Sequence, residues 1–156
     1  MIEIEIPGLR RLYLEHVVCD YNGTLALDGE LLPGVRESLD ALAARAQVHV
    51  VTADTFGLAK DRLAGVPVGV TIIPAESQDQ TKLDFVTRLG EDRVMAIGNG
   101  RNDCRMLAAA AVGVALIQRE GACAAAMMSA DVVCTQILDA LDLLLRPKRL
   151  IATLRS

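Results

Sequence analysis

The order of the apolar runs constrains this chain most. Short β-rich runs alternate with helical patterns along all 156 residues. Parallel strands need long crossover connections, usually helical, so this alternation predicts a parallel sheet with helices on both faces. Residues 112–117, Val-Gly-Val-Ala-Leu-Ile, are apolar throughout, as in a strand buried on both sides. Further strands are expected at 12–19, 48–51, 68–73, 94–97 and 131–134. Helices are expected at 33–46, 55–63, 77–89, 102–110, 120–129, 135–145 and 147–155. Residues 2–6 alternate Ile with Glu and stop at Pro7-Gly8, so they pair with 12–19 as an N-terminal β-hairpin. Asp28-Gly29 marks a second, smaller hairpin within 25–32. Ser77 and Gln80 stand in capping-box spacing, and Gly90 follows the end of that helix. The fold class is α/β, a three-layer Rossmann-like sheet in a single domain over residues 1–156.

Composition removes several function classes. Sixteen basic against twenty acidic residues give a net charge of −4, without the basic footprint of a nucleic-acid or anionic-membrane binder. Aromatics are 3% with no Trp, too few for a base-stacking platform. The longest apolar run, 106–117, is too short to cross a bilayer, and the N-terminus does not read as a signal peptide. Cys19, Cys104, Cys123 and Cys134 form no CxxC pair and read as reduced, buried thiols. A cytoplasmic protein is expected, with neither nucleic acid nor membrane as partner. His16 and His49, within strands, read as packing or surface residues. Met127-Met128 reads as core or interface. Leu150, Ile151 and Leu154 near the C-terminus either cover the sheet or make a subunit contact, which leaves a homo-oligomer open.

Ligands of such sheets bind beyond the carboxyl ends of the strands. Asp20-Tyr21-Asn22-Gly23-Thr24 follows the strand at 12–19, and Thr52-Ala53-Asp54 follows 48–51. Gly98-Asn99-Gly100-Arg101-Asn102-Asp103 follows 94–97, and Lys82 lies in the helix at 77–89. Singly these are ordinary: a turn cap, a helix cap, a tight turn, a solvated lysine. Together they suit phosphoryl transfer. A carboxylate attacks phosphorus, a few oxygen ligands hold Mg²⁺, and a hydroxyl and a lysine neutralise the transferring group.

The set resembles the haloacid dehalogenase-like superfamily. Residues 20–24 resemble its DxDGT motif, Thr52 its second motif, Lys82 its third, and residues 98–103 its GDGxND motif. Thr52-Ala53-Asp54 and the Gly-Asn-Gly-Arg-Asn-Asp loop are also similar to the TGD and GDGxND segments of P-type ATPase phosphorylation domains. The resemblance implies that Asp20 is the nucleophile and a Mg²⁺ ligand. It implies further metal ligands in the Asn22 backbone carbonyl, Asn99 and Asp103, with Asp54 nearby. Thr52, Ala53, Lys82 and Asn102 would hold the phosphoryl oxygens of a phosphorylated substrate. The Asp28-Gly29 hairpin matches the family's flap.

Two positions depart from the family pattern. Asn22 stands where family phosphatases carry the acid/base Asp, a group worth about 10²–10⁴ in rate, and Asn99 removes one charge from the metal loop. The intervals 26–51 and 55–81 are too short for a cap domain of roughly 50 residues. The reading is therefore a capless, Mg²⁺-dependent phosphohydrolase or phosphotransferase, weak or restricted to activated phosphates such as acyl or aryl phosphates. The alternative is a non-catalytic phosphate- or partner-binding module on the same fold. A phospho-receiver domain fits less well, since it would carry an acidic pair at its first strand and leave the 98–103 loop unexplained.

Overall fold

A computed structural model describes residues 1–156. Strands β1 (Ile2–Ile6) and β2 (Arg10–Leu14) form the antiparallel N-terminal hairpin. β3 (His16–Cys19) opens the main sheet, and β4 (Ala26–Leu27) and β5 (Glu30–Leu31) make the small flap hairpin. Then come α1 (Val35–Ala43), β6 (Gln47–Thr52), α2 (Ala59–Arg62), β7 (Gly69–Ile72) and α3 (Gln78–Leu89). The chain continues through β8 (Val94–Gly98), α4 (Cys104–Ala109), β9 (Val112–Leu116) and α5 (Ala124–Ser129). It ends with β10 (Val132–Cys134), α6 (Ile137–Leu145) and α7 (Lys148–Leu154).

The six-stranded sheet has the order β10-β9-β8-β3-β6-β7, and all its neighbours are parallel. Both of its faces are covered. Val17, Cys19, Met95, Ile97, Val112 and Val114 point to one face, against α1 and α6. Val18, Val94, Ala96 and Ala115 point to the other, against α3, α4 and α5. This two-sided burial is why the strands read as continuous apolar runs rather than alternating ones. Leu150 of α7 is fully buried, so the terminal helix covers the hairpin side of the fold. Met127 is half-buried against the smaller core, whereas Met128 stands 87% exposed. No helix is long and apolar enough to cross a membrane.

Local expectations change at several points, among them the helix expected from 120, which starts at Ala124. The run at 12–19 is two strands, because at Glu15 the chain leaves the hairpin for the main sheet. There its N–H donates to the Arg93 carbonyl (2.9 Å) and its carbonyl accepts from Gln47 (2.9 Å). The helix expected from 55 starts at Ala59, because Gly57 takes a positive φ and the preceding turn is closed by Asp54. Ser77 makes no side-chain cap: its φ of 55° is left-handed, and its carbonyl accepts from the Thr81 N–H and hydroxyl instead.

At the amino end of the sheet, His16 Nδ1 and His49 Nε2 lie 3.2 Å apart, and His49 stands edge-on to Phe85. Burial, then the neighbouring His16, pushes the His49 pKa below its ordinary value. The folded chain thus binds this proton less readily than the unfolded chain, so stability falls as pH drops below about 6.5. We expect His49→Gln to lose less stability than wild type between pH 7.5 and pH 5.5. Equal losses in urea titrations at the two pH values would refute this.

Candidate active site

The chain order β3-β6-β7 runs to one side of β3, and β8-β9-β10 to the other. The strand order therefore reverses between β3 and β8, where open α/β sheets bind ligands. Asp20 follows β3 at this point. Thr52 ends the neighbouring β6, and Gly98 ends β8.

Lys82 reaches the same point from α3. Its ammonium donates to Asp20 Oδ1 (2.8 Å) and Asp103 Oδ1 (2.7 Å). Lys82 and Asp103 are fully buried, and Asp20 is 8% exposed. The second Asp103 oxygen accepts from the backbone N–H groups of Asn99 (3.0 Å) and Gly100 (2.9 Å). A Cβ on Gly98 would lie 2.5 Å from the Asp103 carboxylate, so only glycine lets the loop fold back so closely.

One cation between two carboxylates leaves a net negative site. Burial, then the charge of Asp103, pushes the Asp20 carboxyl above its ordinary pKa, with Lys82 opposing. For Lys82, burial opposes the charge, but the two carboxylates outweigh it and hold the ammonium above its usual value.

No cluster of three or more His, Cys, Asp or Glu side chains is arranged to hold a metal ion. The available oxygens still suit Mg²⁺, which usually takes one or two carboxylates and fills its shell with water and phosphate. Asp20 and Asp103 are the two carboxylates. The Asn99 amide nitrogen donates to the Gly121 carbonyl (2.9 Å), leaving its amide oxygen for a cation. The Asn22 carbonyl accepts none of the loop's backbone hydrogen bonds, whereas the Tyr21 carbonyl accepts three.

The remaining residues divide. Thr52 is buried, and its hydroxyl accepts from the Asp54 N–H (2.9 Å). Ala53 is half-buried beside it. One Asp54 carboxylate oxygen accepts from the Leu58 and Ala59 N–H groups (3.0 Å each) and caps the start of α2. Asn102 donates to Gln78 (2.7 Å), which ties the loop to α3. Asn22 turns its side-chain oxygen to the flap, accepting from the Gly29 N–H (2.9 Å). The Tyr21 hydroxyl donates to the Gly29 carbonyl (2.8 Å).

Gln118 went unnoticed in the sequence. Its amide donates to the Gly23 (3.1 Å) and Thr24 (2.9 Å) carbonyls and accepts from the Ile137 N–H, tying the 20–24 loop to α6. It lies two residues past β9, so the strand-end rule, applied to that strand as well, points to it.

A family model of haloacid dehalogenase-like hydrolases matches residues 2–111. The chain belongs to the haloacid dehalogenase-like hydrolase family. It is 48% identical over 84 residues to an uncharacterised protein of Methanocaldococcus jannaschii, covering 51% of this chain and 90% of that protein. It is 39% identical over 72 residues to a cadmium-transporting ATPase of Staphylococcus aureus, covering 45% of this chain but 10% of the transporter. The fold matches 3-deoxy-D-manno-octulosonate 8-phosphate phosphatase of Moraxella catarrhalis, solved with magnesium ion, phosphate ion and KDO. That match has a TM-score of 0.71 at 15% identity and covers 91% of this chain and 94% of the other. The cobalt-bound Haemophilus influenzae phosphatase gives 0.72 at 16% identity, covering 92% and 94%. At these identities the likeness is one of fold.

Proposed function

We propose that the chain is a Mg²⁺-dependent phosphohydrolase or phosphotransferase that works through an aspartyl-phosphate on Asp20. One observation carries the reading: a fully buried ammonium, Lys82, bridges Asp20 and Asp103 at the switch point of the sheet. An Asp20 carboxylate oxygen bonds to phosphorus as the bond to the leaving group breaks, and the leaving group departs with the electron pair. Water then attacks the phosphorus, releasing phosphate and regenerating the Asp20 carboxylate. Thr52 and Lys82 orient the transferring group and neutralise its oxygens. Asp20, Asp103, the Asn99 amide oxygen and the Asn22 carbonyl would hold the cation. When bound, Mg²⁺ adds positive charge against the charge that develops on the phosphoryl oxygens.

Asn22 cannot lend or take a proton, so the favoured substrates are activated phosphates whose leaving groups depart unaided. Acetyl phosphate and 4-nitrophenyl phosphate, assayed with Mg²⁺, test the reading. Wild type should turn over at least one of them, and Asp20→Asn should fall to the uncatalysed rate. Turnover that survives Asp20→Asn, or none in wild type, would remove the phosphohydrolase reading. A second reading rests on the Asn22 side chain, which is engaged with the flap rather than free. It makes the site a phosphate-binding module without turnover, and tight binding of beryllofluoride with Mg²⁺ but no hydrolysis would favour it.

A further inference from the structure

A pocket of about 350 Å³ opens beside the nucleophile loop. Ala26, Leu27, Leu32 and Pro33 wall it on the flap side, and Ile137 and Leu138 from the start of α6. Gly23 lies at the junction with the candidate active site. It lines the pocket, and a Cβ on it would fall 2.0 Å from a Glu120 carboxylate oxygen and 2.4 Å from the Asn99 amide nitrogen. Its missing side chain lets the Glu120 carboxylate and the Asn99 amide pack directly against the 20–24 loop at the edge of the pocket.

The walls are held in place. Gln118 ties Gly23 and Thr24 to Ile137. The flap is pinned at Gly29 by Asn22 and Tyr21, and Glu30 pairs with Arg62 at 2.7 Å and 2.8 Å. Arg119 and Glu120 also line the pocket. Their opposite charges leave it without a net charge to attract an ionic group. A preformed, apolar concavity of this size suits a small organic ring.

We propose that this pocket is the leaving-group subsite and takes the uncharged ring of an aryl phosphate. The proposal rests on the phosphohydrolase reading above and narrows it from activated phosphates in general to aryl phosphates. An acetyl group has too little apolar surface to gain from the pocket, whereas a ring buries its faces against Leu27, Ile137 and Leu138. The ring oxygen leaves with the electron pair of its broken bond to phosphorus. The resulting aryloxide is a weak enough base to depart without a proton from residue 22.

Two non-hydrolysable probes, phenylphosphonate and methylphosphonate, test the subsite without turnover. With Mg²⁺ present, calorimetry should find phenylphosphonate bound at least 10-fold more tightly. Methyl NMR signals of Leu27, Ile137 and Leu138 should move with the phenyl probe alone. Thr135 is exposed and lines the pocket, so Thr135→Phe fills the space and should abolish the preference. Equal affinities, or no binding of either probe, would overturn the subsite. Asp20-dependent hydrolysis reports separately on the phosphohydrolase reading. Turnover without ring preference removes the subsite alone. Ring preference without turnover removes catalysis and leaves a ring-binding pocket beside a phosphate site.

Discussion

Asn22→Asp is expected to raise hydrolysis of unactivated phosphate monoesters by about 10²–10⁴-fold, the usual worth of a positioned general acid and base. The reason lies in both chemistry and geometry. A carboxylic acid at residue 22 protonates the leaving oxygen and then takes a proton from the attacking water, and an amide does neither. The substitution is nearly isosteric, and the one side-chain bond of Asn22 is accepted by an oxygen that Asp also has. The Gly29 N–H donates to Asn22 Oδ1 at 2.9 Å, and a carboxylate accepts that bond equally well or better. The flap should therefore stay pinned and the unfolding midpoint should change little. Acetyl phosphate, whose leaving group needs no proton, should gain far less than an alkyl phosphate. The measurement is kcat/KM for both substrates in both proteins. No selective gain for the alkyl phosphate would mean that residue 22 does not face the leaving group.

Lys82→Met should cost about 3–5 kcal/mol of stability, the range for breaking a buried ion pair by removing one partner. Met fills a similar volume without supplying charge, so the loss reports electrostatics rather than a cavity. Asp20 and Asp103 would face each other with no cation between them, Asp103 fully buried and Asp20 nearly so. The sign with pH follows. Burial and Asp103 already raise the Asp20 pKa, and Lys82 is the group that lowers it. Without the ammonium, Asp20 rises further, so the folded variant holds a proton that the unfolded chain releases. Its deficit should shrink toward pH 5 and widen toward pH 8. Urea unfolding at three pH values checks this, and added Mg²⁺ should restore part of the loss at pH 8. A flat deficit across pH would show that the carboxylates are not the cause.

The sheet was legible because its strands are buried on both faces, which leaves Val17, Val18, Val94 and Val112 apolar whichever way they point. The candidate site was legible as residues that follow the strands, with Lys82 reaching them from α3. Asp20, Thr52, Asn99 and Asp103 are buried at or just past the ends of β3, β6 and β8, and the Lys82 ammonium is buried between two of them. What stayed hidden has physical causes. Glu15 marks a change of partner strand, and partner choice leaves no mark on the alternation of a single strand. Ser77 and Gln80 have the spacing of a capping box, but spacing carries no information about the left-handed backbone at Ser77. Asp54 reads as an acid near the metal ligands, and its spacing to Leu58 and Ala59 gives no sign that one of its oxygens caps the start of α2. The link from Gln118 to Gly23, 95 positions apart, involves one polar side chain with no periodic signal.

The Lys82 bridge also has a consequence in time. Asp20 lies 62 positions before Lys82, and Lys82 lies 21 before Asp103. During synthesis at about 5–20 residues per second, the first carboxylate waits roughly 3–12 s for its ammonium and about 1–4 s more for the second carboxylate. Until then Asp20 stays in water, since the low-dielectric setting it later occupies would be too costly for an unpaired charge. The switch point of the sheet thus closes late, when the chain has passed Asp103. A nascent chain stalled between Lys82 and Asp103 should give an open centre that exchanges amide protons freely at Asp20.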